Sequence, residues 1–160
     1  MPHQFFEIPK DDFWRLSNKS LSLSEDVSNW EIYDDNCKRS KVPLSTNMIN
    51  YIYNLTDLTY SIEINDTVAH YVKYDIHDSY DVDPHDDHCK ITIIVYLHKD
   101  DNISETLSID HNEINHDYWS TDSDKLPCMV MWSDEDEFGP IHSVNMVGNG
   151  KRDILCLFLG

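Results

Sequence analysis

Three residues of this chain have the types and spacing of metal ligands. His85 and Asp87 form a His-x-Asp pair, and His142 follows much later. Two histidines and one carboxylate can hold a non-haem Fe(II) ion on one face and leave its other positions open for oxygen and a co-substrate. Arg152 lies ten positions after His142, and its fork-shaped, permanently charged side chain can bind a carboxylate through two parallel hydrogen bonds. Together they could hold a metal ion and an acid that chelates it.

Two other His-x-carboxylate pairs occur, at His98 with Asp100 and at His111 with Glu113. Such pairs arise by chance in a chain with nine histidines and thirty acidic residues. The His85 pair differs because a β-branched and aromatic run, 91–97, follows it and predicts a buried strand that fixes its position. His98 precedes a polar turn and His111 lies among Asp and Asn residues, so both are expected to be solvated loop histidines.

The C-terminal residues of the candidate site lie on two predicted strands. One contains His142, the other begins at Arg152, and the turn 148–150 separates them. If the strands form a hairpin, their side chains lie next to each other and both residues can line one cavity. Alternating side chains place Arg152 on the apolar face of its strand and Lys151 on the face of Asp153, so Arg152 is expected inside. The alternative is that His142 is a histidine of the core and Arg152 a charge on the surface, with no shared cavity.

The order and spacing of these residues resemble the prolyl 4-hydroxylase-like branch of the Fe(II)/2-oxoglutarate-dependent dioxygenase superfamily. The similarity spans roughly residues 71–160, and it also includes a Thr-containing strand that ends in Tyr96 and Leu97 and the segment 104–107. The resemblance implies that His85, Asp87 and His142 bind iron. It implies further that the distal carboxylate of 2-oxoglutarate is bound by Arg152, with help from Tyr96 and Tyr74.

The resemblance also implies an activity. A hydroxylase of this kind would oxidise a C–H bond of a peptidyl prolyl residue or another amino acid, and it would convert 2-oxoglutarate to succinate and CO2. The implied cofactor is Fe(II), with 2-oxoglutarate as co-substrate and ascorbate as a reductant. Two alternatives stay open: a non-catalytic jelly-roll binding module, and a cupin-like metalloenzyme that does not use 2-oxoglutarate.

Composition narrows the choice of partners. The chain has a net charge of −18 and a pI near 4.5, so it should repel nucleic acids and anionic membranes. A neutral or basic peptide or protein is the expected substrate, and a small molecule remains open. We expect a cytoplasmic location, because the sequence shows neither a secretory leader pattern nor an apolar run long enough to span a bilayer. The oligomeric state is open.

Length and strand pattern predict the fold class. A chain of 160 residues should form one domain. We expect helices near 11–16 and 45–54, within a helical and irregular N-terminal cover formed by residues 1–58. From residue 59 to 160, many short strands without alternating helices predict a double-stranded β-helix, or jelly roll, whose mouth is a natural site.

Overall fold

A computed structural model describes residues 3–7, 30–41, 68–109, 112–115, 127–132 and 139–159. These residues contain eleven strands and no helix. In chain order the strands are β1 (His3–Glu7), β2 (Glu31–Asp34), β3 (Cys37–Lys41), β4 (Val68–Ile76), β5 (Ser79–His85), β6 (Ile91–Lys99), β7 (Ser104–Ile109), β8 (Asn112–Asn115), β9 (Pro127–Trp132), β10 (His142–Val147) and β11 (Gly150–Leu159). No helix among the described residues is long and apolar enough to cross a membrane.

The strands form two antiparallel sheets. The larger sheet has seven strands in the order β1-β9-β6-β11-β4-β3-β2, and the smaller has four in the order β5-β10-β7-β8. Apolar side chains from both sheets form one buried cluster. This arrangement of two sheets around one core confirms the predicted jelly-roll class.

Burial follows the position of each strand in its sheet. Strand β6 lies between β9 and β11, and almost all of its residues are buried, as expected for the continuous apolar run 91–97. Strand β10 alternates between buried and exposed residues, because one face of the smaller sheet meets the core and the other meets solvent. These two patterns fix which side chains can point into the space between the sheets.

Three tight connections carry the chain from one sheet to the other. Residues 77–78 join β4 to β5, residues 100–103 join β6 to β7, and residues 148–149 join β10 to β11. They lie close together: the Gly148 amide donates to the Asp78 carbonyl oxygen at 2.8 Å. Gly148 has a φ of +133°, and a Cβ there would lie 2.2 Å from the Asn102 carbonyl oxygen. Only glycine fits this crossing.

The predicted hairpin between the two C-terminal strands is wrong. Strand β10 pairs with β5 and β7, whereas β11 pairs with β4 and β6 in the other sheet. A short glycine turn permits either outcome, so the turn residues alone did not decide between a hairpin and a crossing. His142 and Arg152 therefore enter the space between the sheets from opposite sides.

The N-terminal part of the chain differs in detail from the predicted cover. Strands β1, β2 and β3 lie within residues 1–58, and β3 pairs with β4 from Cys37↔Tyr74 to Lys41↔His70. The larger sheet therefore includes strands from the segment assigned to a helical and irregular cover. The two predicted helices, near 11–16 and 45–54, lie outside the described residues.

Candidate metal centre

Three separate elements bring the candidate ligands together. His85 is the last residue of β5 and His142 the first of β10, and the two are direct partners in the register of these strands. Asp87 follows two residues after His85, in the connection to β6. One ligand atom from each residue lies within 4.8 Å of the others. The structure thus places all three predicted metal ligands at one point.

The carboxylate of Asp87 lies between the two imidazoles. His85 Nε2 lies 3.2 Å from Asp87 Oδ1, and His142 Nε2 lies 3.3 Å from Asp87 Oδ2. The ring centroids of the two histidines are 4.5 Å apart. The hydroxyl of Thr92, the second residue of β6, donates to Asp87 Oδ2 at 2.6 Å. Asp87 is therefore oriented from outside the triad by a side chain of the most buried strand.

Both histidines are held in one tautomer. His85 Nδ1 lies 2.7 Å from the Asp83 carbonyl oxygen, and His142 Nδ1 lies 3.0 Å from the Pro140 carbonyl oxygen. A carbonyl oxygen can only accept, so each Nδ1 carries a proton and donates it. In the neutral rings the lone pairs are then on Nε2, which faces the centre of the triad. Metal-binding histidines are commonly fixed in this way by outer hydrogen bonds.

The electrostatics of the triad favour an ionised carboxylate. Burial by itself would raise the pKa of Asp87, but hydrogen bonds from His142, His85 and Thr92 outweigh it and hold that pKa well below its usual range. The hydrogen bond to Asp87 raises the pKa of His85. Asp87 is thus a charged ligand over the whole physiological range, and a metal ion would compete with a proton at His85.

The donor set fits a divalent first-row metal ion. Two imidazole nitrogens and one carboxylate oxygen converge, and this set leaves further coordination positions to solvent or substrates. His85 is partly exposed while His142 is buried, so the triad has one open side. Such ligands suit non-haem Fe(II), and they would also accept Zn²⁺ or Mn²⁺ in the absence of iron.

The other two His-x-carboxylate pairs, His98 with Asp100 and His111 with Glu113, form no metal site like the triad among the described residues. His98 Nε2 lies 2.7 Å from Asp100 Oδ1, but no third metal-ligating residue joins them in the part of the chain that the structure describes. His98 lies in β6 rather than in a loop, and the next residue, Lys99, is fully buried rather than part of a solvated turn. His111 lies outside the described residues.

A cavity of about 400 Å³ extends inward from the metal triad. Its lining includes all three candidate ligands and, on β11, Arg152 together with the alternate residues Ile154, Cys156 and Phe158. Arg152 is 1% exposed, whereas Lys151 is exposed. The alternation of β11 therefore places Arg152 inside and Lys151 outside, as expected from the sequence.

Arg152 already has a carboxylate partner from its own chain. Its Nε and Nη2 donate to the two carboxylate oxygens of Glu105 at 2.5 and 3.1 Å. Nη2 also donates to the Tyr96 hydroxyl at 3.3 Å, and that hydroxyl in turn donates to Glu105. The guanidinium carbon lies 4.9 Å from the centre of the Tyr74 ring. Glu105, Tyr96 and Tyr74 thus surround the guanidinium of Arg152.

Burial and the charge of Glu105 together shift the pKa values of Arg152 and Tyr96. Burial alone would lower the pKa of Arg152, but the neighbouring Glu105 carboxylate raises it well above its usual value. Burial, and then the charge of Glu105, raises the pKa of Tyr96, so this hydroxyl remains a proton donor. Sequence reasoning gave Glu105 no role. The available signal was a carboxylate on the same strand face as Leu107 and Ile109, a position otherwise occupied by apolar residues.

Thr92 offers a test of the metal centre that spares its ligands. Thr92→Val keeps the shape of the side chain but removes the 2.6 Å hydrogen bond to Asp87. Outer-shell changes of this kind lower metal affinity by roughly 10–100-fold, and we expect a loss of that order for Mn²⁺ measured by calorimetry. Thr106→Val, the same change on β7 away from the triad, should leave the affinity unchanged. Equal affinities for both variants would contradict the orienting role of Thr92.

No family model and no curated protein matches the sequence. Solved structures do match the fold. IDO from Bacillus thuringiensis has a TM-score of 0.62 at 12% identity, over 98% of this chain and 89% of that one. A prolyl-4-hydroxylase from Pseudomonas putida has a TM-score of 0.58 at 12% identity, over 98% and 90%.

A third match is a bsmA homolog from Methylobium petroleophilum, with a TM-score of 0.59 at 11% identity over 97% of this chain and 87% of that one. At these identities the likeness concerns the fold. Each match extends over nearly all of this chain and most of the matched chain. The chain therefore has a jelly-roll fold with a candidate His-Asp-His metal site between its sheets.

Proposed function

We propose that this protein is an Fe(II)-dependent oxygenase that uses a 2-oxo acid as co-substrate and hydroxylates a C–H bond of an amino-acid side chain. The observation that carries the proposal is the convergence of His85, Asp87 and His142 at the end of a cavity that also contains Arg152. A metal site with open positions beside a cavity suits the joint binding of oxygen, a chelating acid and a substrate. Among 2-oxo acids, 2-oxoglutarate is the one implied by the resemblance in sequence.

The protein's own residues would bind and orient the reactants. His85, Asp87 and His142 would hold the iron, and their outer hydrogen bonds would keep the ligand atoms aimed at it. Bound Fe(II) supplies the activation of oxygen. In the overall reaction one oxygen atom enters the substrate C–H bond and the other enters the acid formed when the 2-oxo acid loses CO2. The apolar lining of the inner cavity, including Ile94 and Ile154, would exclude water from the reacting groups.

The favoured substrate is a peptidyl residue, prolyl or otherwise, that is neutral or basic. Residues from the β2–β3 hairpin, Tyr33 and Arg39, contribute to the cavity lining near its exposed side, where a side chain projecting from a peptide could enter. The acidic surface, with a net charge of −18, favours such peptides over nucleic acids. A free amino acid or another small molecule would fit the same cavity.

One observation favours a second candidate function. Because Glu105 already binds the Nε and Nη2 donors of Arg152, the site could serve a metalloenzyme that takes no acid co-substrate at all. The two candidates differ in a simple property: only the oxygenase proposed here should bind a 2-oxo acid in a metal-dependent manner. A non-catalytic module could bind a metal ion or an acid, but it would not convert the acid to products.

Turnover tests the proposed function directly. With Fe(II), oxygen and ascorbate, the protein should slowly decarboxylate a 2-oxo acid, and a true substrate should accelerate CO2 release. Both 2-oxoglutarate and acids without a second carboxylate should be supplied. His142→Ala, which lacks one metal ligand, is the matched control and should show no release above free iron. Absence of CO2 from every acid, with iron shown to be bound, would favour the metalloenzyme that uses no acid.

A further inference from the structure

The carboxylate of Glu105 contacts the residues to which the resemblance in sequence assigns the second carboxylate of the co-substrate. The resemblance in sequence assigns the distal carboxylate of 2-oxoglutarate to Arg152, with Tyr96 assisting. In the structure both of these groups bind the carboxylate of Glu105 instead. An internal carboxylate therefore takes the bonds that an external one would need.

The arrangement is built into the fold rather than formed at the surface. Glu105 and Tyr96 are fully buried and Arg152 is 1% exposed. They come from β7, β6 and β11, so they join the smaller sheet to the larger one. The pair is bidentate, which fixes the plane of the guanidinium as well as its position. Moving Glu105 aside would leave a carboxylate in the core without these partners, which is strongly unfavourable.

Arg39, the second arginine that lines the cavity, also binds a carboxylate of its own chain. Among the described residues that line the cavity, Arg39 and Arg152 are the two arginines. Arg39 donates from Nε and Nη2 to the two carboxylate oxygens of Glu31 at 3.1 and 3.2 Å. Lys99 lies opposite Arg152 in the register, but its ammonium donates to the Ile103 carbonyl oxygen at 2.5 Å and it does not line the cavity. A second carboxylate in the cavity would meet arginines that already bind carboxylates.

We propose that Glu105 determines co-substrate specificity: it replaces the second carboxylate, so the preferred co-substrate is a 2-oxo acid with an uncharged far end. This inference rests on the proposed use of a 2-oxo acid and refines its class. An acid with a second carboxylate would bring two negative charges close together around one guanidinium, in surroundings of low polarity where repulsion is strong. An acid that ends in a methyl group would only pack against the apolar lining and the Tyr74 ring.

Two acids with the same carbon chain test the proposal. The protein loaded with Mn²⁺ is titrated by calorimetry with 2-oxoglutarate and with 2-oxopentanoate, in which a methyl group replaces the second carboxylate. For the unmodified protein we expect 2-oxopentanoate to bind at least tenfold more tightly. Glu105→Gln should reverse this ranking and improve 2-oxoglutarate binding by tenfold or more, because Arg152 then lacks its anionic partner. Asp35→Asn, the same change of charge in the exposed turn between β2 and β3, should leave the ranking as it was.

Each outcome has a distinct meaning. Tighter binding of 2-oxoglutarate to the unmodified protein, or weaker binding after Glu105→Gln, would overturn the proposal and make Glu105 a residue that merely positions Arg152. Binding of neither acid by the Mn²⁺-loaded protein would instead overturn the proposed function itself. Glu105→Ala provides a second variant: 2-oxoglutarate should raise its melting temperature more than 2-oxopentanoate does. If both variants fail to fold, the ranking in the unmodified protein decides alone.

Discussion

Replacing His85, Asp87 or His142 by alanine should abolish stoichiometric binding of Fe(II). The three residues contribute the ligand atoms that lie within 4.8 Å of one another, and removal of one leaves two protein donors for an ion that also binds water. Changes to residues outside such a ligand set already cost roughly 10–100-fold in affinity, so loss of a ligand should exceed this range. The measurement is anaerobic equilibrium dialysis followed by metal analysis.

His98→Ala is the matched control for the metal-binding test. His98 and Asp100 form a His-x-Asp pair with a separation of 2.7 Å, so the control removes the same kind of side chain from the same local motif. Because no third ligand joins this pair among the described residues, the variant should bind one iron with unchanged affinity. If His98→Ala lost the iron while His85→Ala kept it, the assignment of the metal centre would be wrong.

Two members of the metal triad, His85 and Asp87, could be predicted from the sequence because they lie in one short segment. The His-x-Asp spacing lies in one short segment, and the buried run of β6 follows at once. Local spacing could not predict that His142 lies beside His85. Its pairing with His85 depends on the register between β10 and β5. In β5, at the edge of the smaller sheet, only the short alternation of Tyr80 and Val82 indicates a strand.

Strand alternation was equally informative on β11. Arg152 and the apolar residues two and four positions later line the cavity, because side chains of a strand alternate between its faces. The pairing partners of β11 could not be predicted, since the turn at 148–149 allows a hairpin and a crossing between sheets alike. The three strands near the N-terminus were not predicted either, because each is only four or five residues long and β2 is exposed along its whole length.

Glu105 shows what the sequence could not provide. One carboxylate among the thirty acidic residues of the chain does not by itself indicate a buried partner for Arg152. Its role depends on the packing of β7 against β6 and β11, which brings it to Arg152 across the two sheets. The Arg152 side chain has the predicted location but an unexpected partner. Its removal should therefore affect the fold as well as ligand binding.

Arg152→Met should lower the free energy of unfolding by about 3–5 kcal/mol. The change leaves the buried carboxylate of Glu105 without its main cation, and breaking a buried ion pair costs this much. For a domain of this size the melting temperature should fall by roughly 6–20 °C. Arg39→Met removes a bidentate partner of Glu31 at the surface and should cost no more than about 1 kcal/mol.

A double variant separates the ion pair from simple packing. In Arg152→Met with Glu105→Met, neither charge is left in the core, and replacement of a buried ion pair by apolar residues of similar size is often close to neutral. The double variant should therefore regain most of the stability that Arg152→Met loses, as measured by urea unfolding of the metal-free protein. Equal losses in the single and double variants would mean that the aliphatic part of Arg152, rather than its charge, stabilises the region between the sheets. The pair would then be an incidental contact, and the specificity assigned to Glu105 would lose its physical basis.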